Sequence, residues 1–408
     1  MTHETREGGD ASSAAPPSLF ELARVYLGIS LLGFGGPNAH LALMLDEVVE
    51  RRRWLTRERF LELMAVTNLL PGPNSSEVAI HVGYTQRGWA GALATGLAFL
   101  VPTFLMVTGL SALYFRYGTL PQVEALFWGL QPVIVAIVVS AGIKIGRAAI
   151  DSGAQLALAG VGAAVSLVSG PAIIAAMVAA GVLFAGWDGR ARRGARRESS
   201  LEGGDDGAGD HTESRSGAGV FLVASGLVAV GVPGTLATVF LTHLWIGSVL
   251  FGGGYVLVAL LEPYAVGQFG WLSGAQFLDG VALTQAVPGP ISTLSAFVGY
   301  AAAGVPGALL GTAGVYLPAF AAVLLTAPRL ERLRDVPTVR AALRGVVPVA
   351  AGAVLGVGTS LVLAGVRDPA AALLALVAFT LLVWRRVPAL WLMGVGLACG
   401  ALRAVILS

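Results

Sequence analysis

The chain has 408 residues, 55% of them hydrophobic and only 12% charged, with a mean hydropathy of +0.76. So little charge over this length excludes a soluble globular protein and points to an all-α polytopic membrane protein. A single cysteine, Cys399, and five histidines with no H-x-x-x-H pair leave redox and zinc chemistry nothing to build on; no cofactor, metal or enzymatic activity is expected, and a net charge of +2 gives no ground for a nucleic-acid partner.

Residues 1–19 read as a disordered N-terminus, without the basic start and apolar run of a signal peptide. An apolar segment over 20–45 is interrupted by Gly33-Phe34-Gly35-Gly36-Pro37, and a basic stretch follows with Arg51, Arg52, Arg53, Arg57 and Arg59. Residues 60–86 contain Pro71-Gly72-Pro73, and apolar segments then run over 89–115, 122–142, 153–168 and 171–187. A polar stretch, 188–218, basic and then acidic, reads as a disordered cytoplasmic linker. A linking apolar helix is expected over 219–233, and a second half occupies 234–408.

That second half restates the first, 20–187. Phe34-Gly35-Gly36 matches Phe251-Gly252-Gly253, Trp54-Leu55 matches Trp271-Leu272, and Pro71-Gly72-Pro73 matches Pro288-Gly289-Pro290, all at a spacing of 217. After a slip of one residue, Gly83-Tyr84 matches Gly299-Tyr300 and Pro132 matches Pro348. The chain is an internal duplication, a common construction for transporters. Basic residues mark the cytoplasmic loops. The first copy concentrates them in 51–59, at Lys144 and Arg147, and in the linker; the second has none between Glu262 and Gln276 and carries them at 329–344 and at Arg385 and Arg386. The bias moves to alternate loops, as inverted repeats require. One topology satisfies it: in each copy two broken, re-entrant segments and four spans, with 219–233 crossing once between them.

Each proline of a Pro-Gly-Pro removes an N–H donor and blocks a continuing helix, which is costly in hydrocarbon unless the site lines a cavity. Asn74, Ser75 and Ser76, and Ser292 and Thr293 in the second copy, are residues suited to starting a new helix. A helix N-terminus at membrane depth presents unpaired N–H groups and partial positive charge to an anion. The expected binding residues are therefore Gly35, Gly36, Asn68, Pro71, Gly72, Pro73, Asn74, Ser75 and Ser76, with Gly252, Gly253, Gln285, Pro288, Gly289, Pro290, Ser292 and Thr293. Thr67 and Thr284 either donate to an oxyanion or satisfy free carbonyls. Glu77 stands at capping-box spacing from Asn74; it closes that box or relays protons. Glu62 and Asp279 match at 217 and are candidates for charge coupling, as is Arg24, whose counterpart is Leu241. His40, His81 and His243 are satisfied polar residues or proton carriers.

These residues in combination resemble the chromate ion transporter family in its long-chain, two-domain form, over about 20–406. The resemblance implies a multi-pass protein of the cell inner (plasma) membrane that exports chromate from the cytoplasm and confers chromate resistance, with sulfate as a related dianion. Membrane potential alone suffices to drive export, and proton antiport would add to it. Three alternatives stay open: sulfate moving inward, another oxyanion doing so, or a lipid-phosphate flippase with re-entrant hairpins. A homodimer in the bilayer is compatible with all of them.

Overall fold

The computed structural model describes residues 16–202, 236–329 and 337–407. The first copy contains α1 (Leu19–Leu32), α2 (Pro37–Met44), α3 (Arg57–Thr67), α4 (Asn74–Tyr117), α5 (Pro121–Ala149), α6 (Gly153–Ser166) and α7 (Gly170–Glu202). The second contains α8 (Leu236–Ser248), α9 (Gly254–Glu262), α10 (Gly274–Ala286), α11 (Leu294–Thr326), α12 (Pro337–Gly365), α13 (Pro369–Val383) and α14 (Ala389–Leu407). Wide π-helical turns extend α2 over Leu45–Arg51 and α9 over Pro263–Gln268. Among the described residues six helices are long and apolar enough to cross a membrane. Helical backbone continues through Glu202, so the first part of the expected linker is helix; 203–218 and the apolar stretch 219–233 lie outside the described residues.

Helix starts follow the local chemistry. Ser18, Thr56, Ser152 and Asp368 each cap a helix by accepting an N–H three residues on, and Ser273 and Gln276 form a complete capping box at the start of α10. Breaks recur in register. Gly35 and Gly36 have φ of 105° and 82°, and Gly252 and Gly253 have 96° and 99°; Gly72 has 152° and Gly289 has 113°. A left-handed backbone at matching places is where glycine is needed.

Both α4 and α11 are two arms joined by a reversal. Arg87 and Gly88 leave helical geometry at φ −144° and 58°, and Ala303 and Gly304 at −152° and 63°. The arms fold back on each other: Thr95 Oγ1 donates to the Ala79 carbonyl at 2.7 Å. Glycine pairs Gly83 with Gly91 and Gly299 with Gly307 allow this, since a Cβ on any of the four would strike the facing backbone.

Contacts fix where these pieces end. Arg52 donates to Glu21 at 2.7 Å, so α1 and the chain through α2 start and finish at one end of the molecule. Gln86 donates to the Trp54 carbonyl at 2.9 Å and Arg87 to the Pro17 carbonyl at 2.8 Å, which returns α3 and the first arm of α4 to that same end. The second arm of α4 leads away to Tyr114. There Tyr114 meets Asp279 of α10, and Phe115 stacks on Tyr300 at 5.7 Å. The second arm of α11 runs back, placing Phe320, Val323 and Leu324 against Ile80, Tyr84 and Ala92 near the first end. The crossing helices α5 and α12 pack on each other, on α6 and α7, and on α13 and α14 to complete the bundle. Small residues let backbones approach: Gly352 lies against the Ala159 carbonyl and Gly129 against that of Gly396.

Candidate functional site

The four breaks meet. The Gly72 N–H donates to the Leu250 carbonyl at 2.8 Å, and the Gly289 N–H donates to the Gly33 carbonyl at 3.1 Å. Leu250 and Gly33 are counterparts at 217, as are the two glycines, so each Pro-Gly-Pro turn of one copy closes the end of the first helix of the other. Side chains repeat the exchange. A Cβ on Gly72 would stand 2.7 Å from that of Ala319, while one on Gly289 would overlap the Thr103 hydroxyl, and Thr103 and Ala319 are themselves counterparts at 216. Thr103 Oγ1 donates to the Pro288 carbonyl at 3.0 Å and shares a hydrogen bond with Ser30 at 3.3 Å. Thr103 and Ser30 were not among the residues singled out from sequence; a hydroxyl beside Pro102, which matches Pro318 at the slipped spacing of 216, was the available signal.

Around this crossing the expected residues take different parts. Pro73 is the residue before α4, which begins at Asn74, and Pro290 precedes a short turn at Ile291–Thr293 that leads into α11. Neither start has a side-chain cap. The Asn74 amide instead donates to Asn68 Oδ1 at 2.6 Å, and Glu77 is fully buried with neither carboxyl oxygen hydrogen-bonded, so the expected capping box is not formed. Because Asn74 lies inside the first turn rather than before it, its side chain points back across the break to Asn68. Ser75 and Ser76 are buried in that same turn, while Asn68, Gly35 and Gly252 are exposed. Gln285 donates to the Tyr255 hydroxyl at 2.7 Å, and Ser292 bonds the Tyr316 hydroxyl. The Thr67, Thr284 and Thr293 hydroxyls donate to carbonyls of their own turns.

The charged candidates separate. Arg24 lies exposed on α1. Glu62 is half-exposed and pairs with Arg59 at 3.0 Å. Asp279 is buried and accepts from Tyr114 Oη at 2.7 Å and from Gln131 Nε2 at 2.8 Å, which ties α10 to two helices of the other copy. A cavity of about 270 Å³ opens beside it toward the second end, lined also by Glu124, Trp128 and Arg367. His40 donates from Nε2 to the Gly33 carbonyl and His243 from Nδ1 to that of Val239, so both are tied to backbone. His81 is different: it is buried, and neither ring nitrogen is bonded. Among the described residues no group of three His, Cys, Asp or Glu side chains is placed to hold a metal ion.

The four breaks thus lie at one crossing between the copies, with Asn74, Ser75 and Ser292 in the turns that follow two of them. The chromate transporter family profile matches residues 20–186 and 237–402, one match for each copy. The chain belongs to the chromate transporter family. It is 30% identical to a chromate transport protein of Cupriavidus metallidurans over 386 residues, 93% of this chain and 92% of that one. It is 33% identical to a chromate transport protein of Pseudomonas aeruginosa, covering 86% and 82%, and 25% identical to an uncharacterized transporter of Methanocaldococcus jannaschii, covering 78% of each. No solved structure matches. Members of the family are transporters, and this one is a multi-pass membrane protein.

Proposed function

We propose that the protein exports chromate, a tetrahedral dianion, from the cytoplasm across the plasma (cell inner) membrane and so confers chromate resistance. The observation that carries this reading is the reciprocal closure of two Pro-Gly-Pro turns on the opposite copy, in a chain of the chromate transporter family. The oxyanion binds where the helices beginning at Asn74 and Ile291 face the crossing, held by N–H groups and by the Asn74, Ser75 and Ser292 side chains.

In the bilayer the two copies act as inverted repeats, and each broken segment is re-entrant. Support comes from the ends of the segments: Arg52 back at Glu21 and Gln86 back at Trp54 in the first copy, and α10 of the second copy entering beside Tyr114 at the opposite end. The end bearing Arg52, Arg57 and Arg87 faces the cytoplasm, and Arg116, Arg367 and Arg403 face outward. Exposed Trp89, Trp187 and Trp384 suit the headgroup level of the cytoplasmic leaflet. Rocking of one copy against the other about the crossing then exposes the site to each side in turn.

A dianion leaving a cell that is negative inside gains about 4.6 kcal/mol at 100 mV, so voltage is sufficient drive. Sulfate has the same shape and charge and is the expected competitor. Asn74→Ala and Ser75→Ala should each lower chromate tolerance of cells at unchanged membrane expression. Chromate tolerance equal to that of the unaltered protein would remove the helix start from the site. Labelled chromate and sulfate presented to inverted vesicles separate export of one from inward movement of the other.

A further inference from the structure

Behind the first Pro-Gly-Pro turn lie two buried polar side chains that the export reading leaves without a role. Glu77 is fully buried, its carboxyl oxygens accept no hydrogen bond, and Oε1 lies 2.7 Å from the place a Cβ on Gly72 would occupy. The carboxyl is thus pressed against the underside of the turn. His81, one helical turn further along the same arm, is 1% exposed with both ring nitrogens unbonded. The titratable side chains on the elements packed against this arm include Arg59 and Glu62 of α3, Tyr26 of α1, His40 of α2 and Tyr316 of α11. None of them hydrogen-bonds to Glu77 or His81, and Arg59 is near enough to act on His81 electrostatically.

An unpaired charge in such surroundings is strongly disfavoured, so nothing about folding recommends these two residues. The duplication supplies the control. In either register of the one-residue slip the second copy has Thr293 or Leu294 in place of Glu77 and Phe297 or Val298 in place of His81, all of them buried. The same surroundings are therefore filled by residues that cannot titrate, and the first copy keeps an acid and an imidazole at a cost in stability.

We propose that Glu77 and His81 form a proton-binding site linked to the oxyanion site in front of it. This rests on the oxyanion binding at the start of α4. Glu77 stands in the first turn of that helix, and a carboxylate there would repel a dianion across a few ångströms of low-dielectric protein. The dianion is accepted when Glu77 is neutral, and the proton that neutralises it comes from solution onto the carboxyl oxygen, with His81 as the neighbouring acceptor one turn along the helix. No covalent bond to the anion forms; the proton is released when the anion leaves. Linkage is reciprocal, so anion binding raises proton affinity as proton binding raises anion affinity. Proton and oxyanion thus travel together with one net negative charge, which voltage still drives outward. An imidazole and a carboxyl are a proton pair; alkali-metal ions are not ligated by imidazole in preference to water.

The test is anion binding to the purified full-length protein, followed by calorimetry in two buffers of different ionisation enthalpy. Sulfate is the informative probe beside chromate, because it stays a dianion while chromate itself takes a proton near neutrality. Above the pH at which Glu77 loses its proton in the free protein, up to one proton should be taken up per sulfate bound, with affinity falling as pH rises through that range. Glu77→Gln should bind sulfate without proton uptake and without that pH dependence. The double variant Glu77→Leu, His81→Val, which installs side chains the second copy already accommodates, should behave the same way. Sulfate binding with no proton uptake and no pH dependence at any pH, proton uptake that survives Glu77→Gln, or a requirement for Na⁺ would overturn the proposal while leaving export standing. Absence of binding by either anion would overturn it together with the reading it rests on.

Discussion

Gly289 shows how closely the crossing is built. At φ 113° it holds a backbone that side chains rarely adopt, its N–H is spent on Gly33, and the Thr103 hydroxyl fills the space a Cβ would need. Gly289→Ala therefore combines backbone strain with overpacking, and each of those costs about 1–3 kcal/mol. Thermal unfolding in detergent should show a clearly lowered midpoint, and an unchanged midpoint would mean the turn does not hold the copies together. A second residue reads out in pH. Asp368, in the loop before α13, accepts the Ala371 N–H and also receives Trp128 Nε1 and Arg403, and these bonds hold its carboxyl below the ordinary aspartate range. A folded-state value below the unfolded one adds stability above the unfolded value, and that stability is lost as pH falls through the folded value. Asp368→Asn should lose stability at neutral pH, and its midpoint should change less than that of the unaltered protein on acidification. Parallel pH curves for the two would contradict this account of Asp368.

Among the elements, the broken helices were legible because glycine and proline punctuate apolar runs and because each break occurs twice. The boundary between 60–86 and 89–115 is the reversal at Arg87 and Gly88, visible as a basic residue and a glycine between two apolar stretches. Partners across the copies were not legible. Nothing local joins Gly72 to Leu250, or Asp279 to Tyr114 and Gln131, since hydrogen bonds between distant segments leave no spacing in the chain. Gln131, a lone amide beside the matched Pro132, was the nearest hint. The Asn74 cap failed for a local reason: the helix starts one residue earlier than a capping box requires, so the amide turned to Asn68 and the acid was buried. The same misplacement leaves the Glu77 carboxyl without a hydrogen-bond partner. The π-helical turns after α2 and α9 have no clear signature in composition, and no physical account of them follows from the residues they contain.

For the molecule as a whole, the contacts show which segment ends lie together, and the arginines assign a side to each end in the proposed topology. In a Cys399→Ala background, Arg57→Cys and Arg385→Cys should be labelled by an impermeant thiol reagent from the cytoplasmic side, and Arg367→Cys from the outside. Labelling of Arg57→Cys from outside would reverse or dismantle the topology. In the proposed topology the cavity beside Asp279 faces outward, next to the tie from Asp279 to Tyr114 and Gln131 that joins the two copies. The central claim is that one crossing of two interlocked turns carries an oxyanion under voltage. Its most direct measurement is chromate flux in proteoliposomes of the purified protein at an imposed potential with no pH gradient. Chromate should move toward the positive side at a rate that rises with potential and disappears when the potential is collapsed; flux that ignores the potential, or no flux at all, would contradict it.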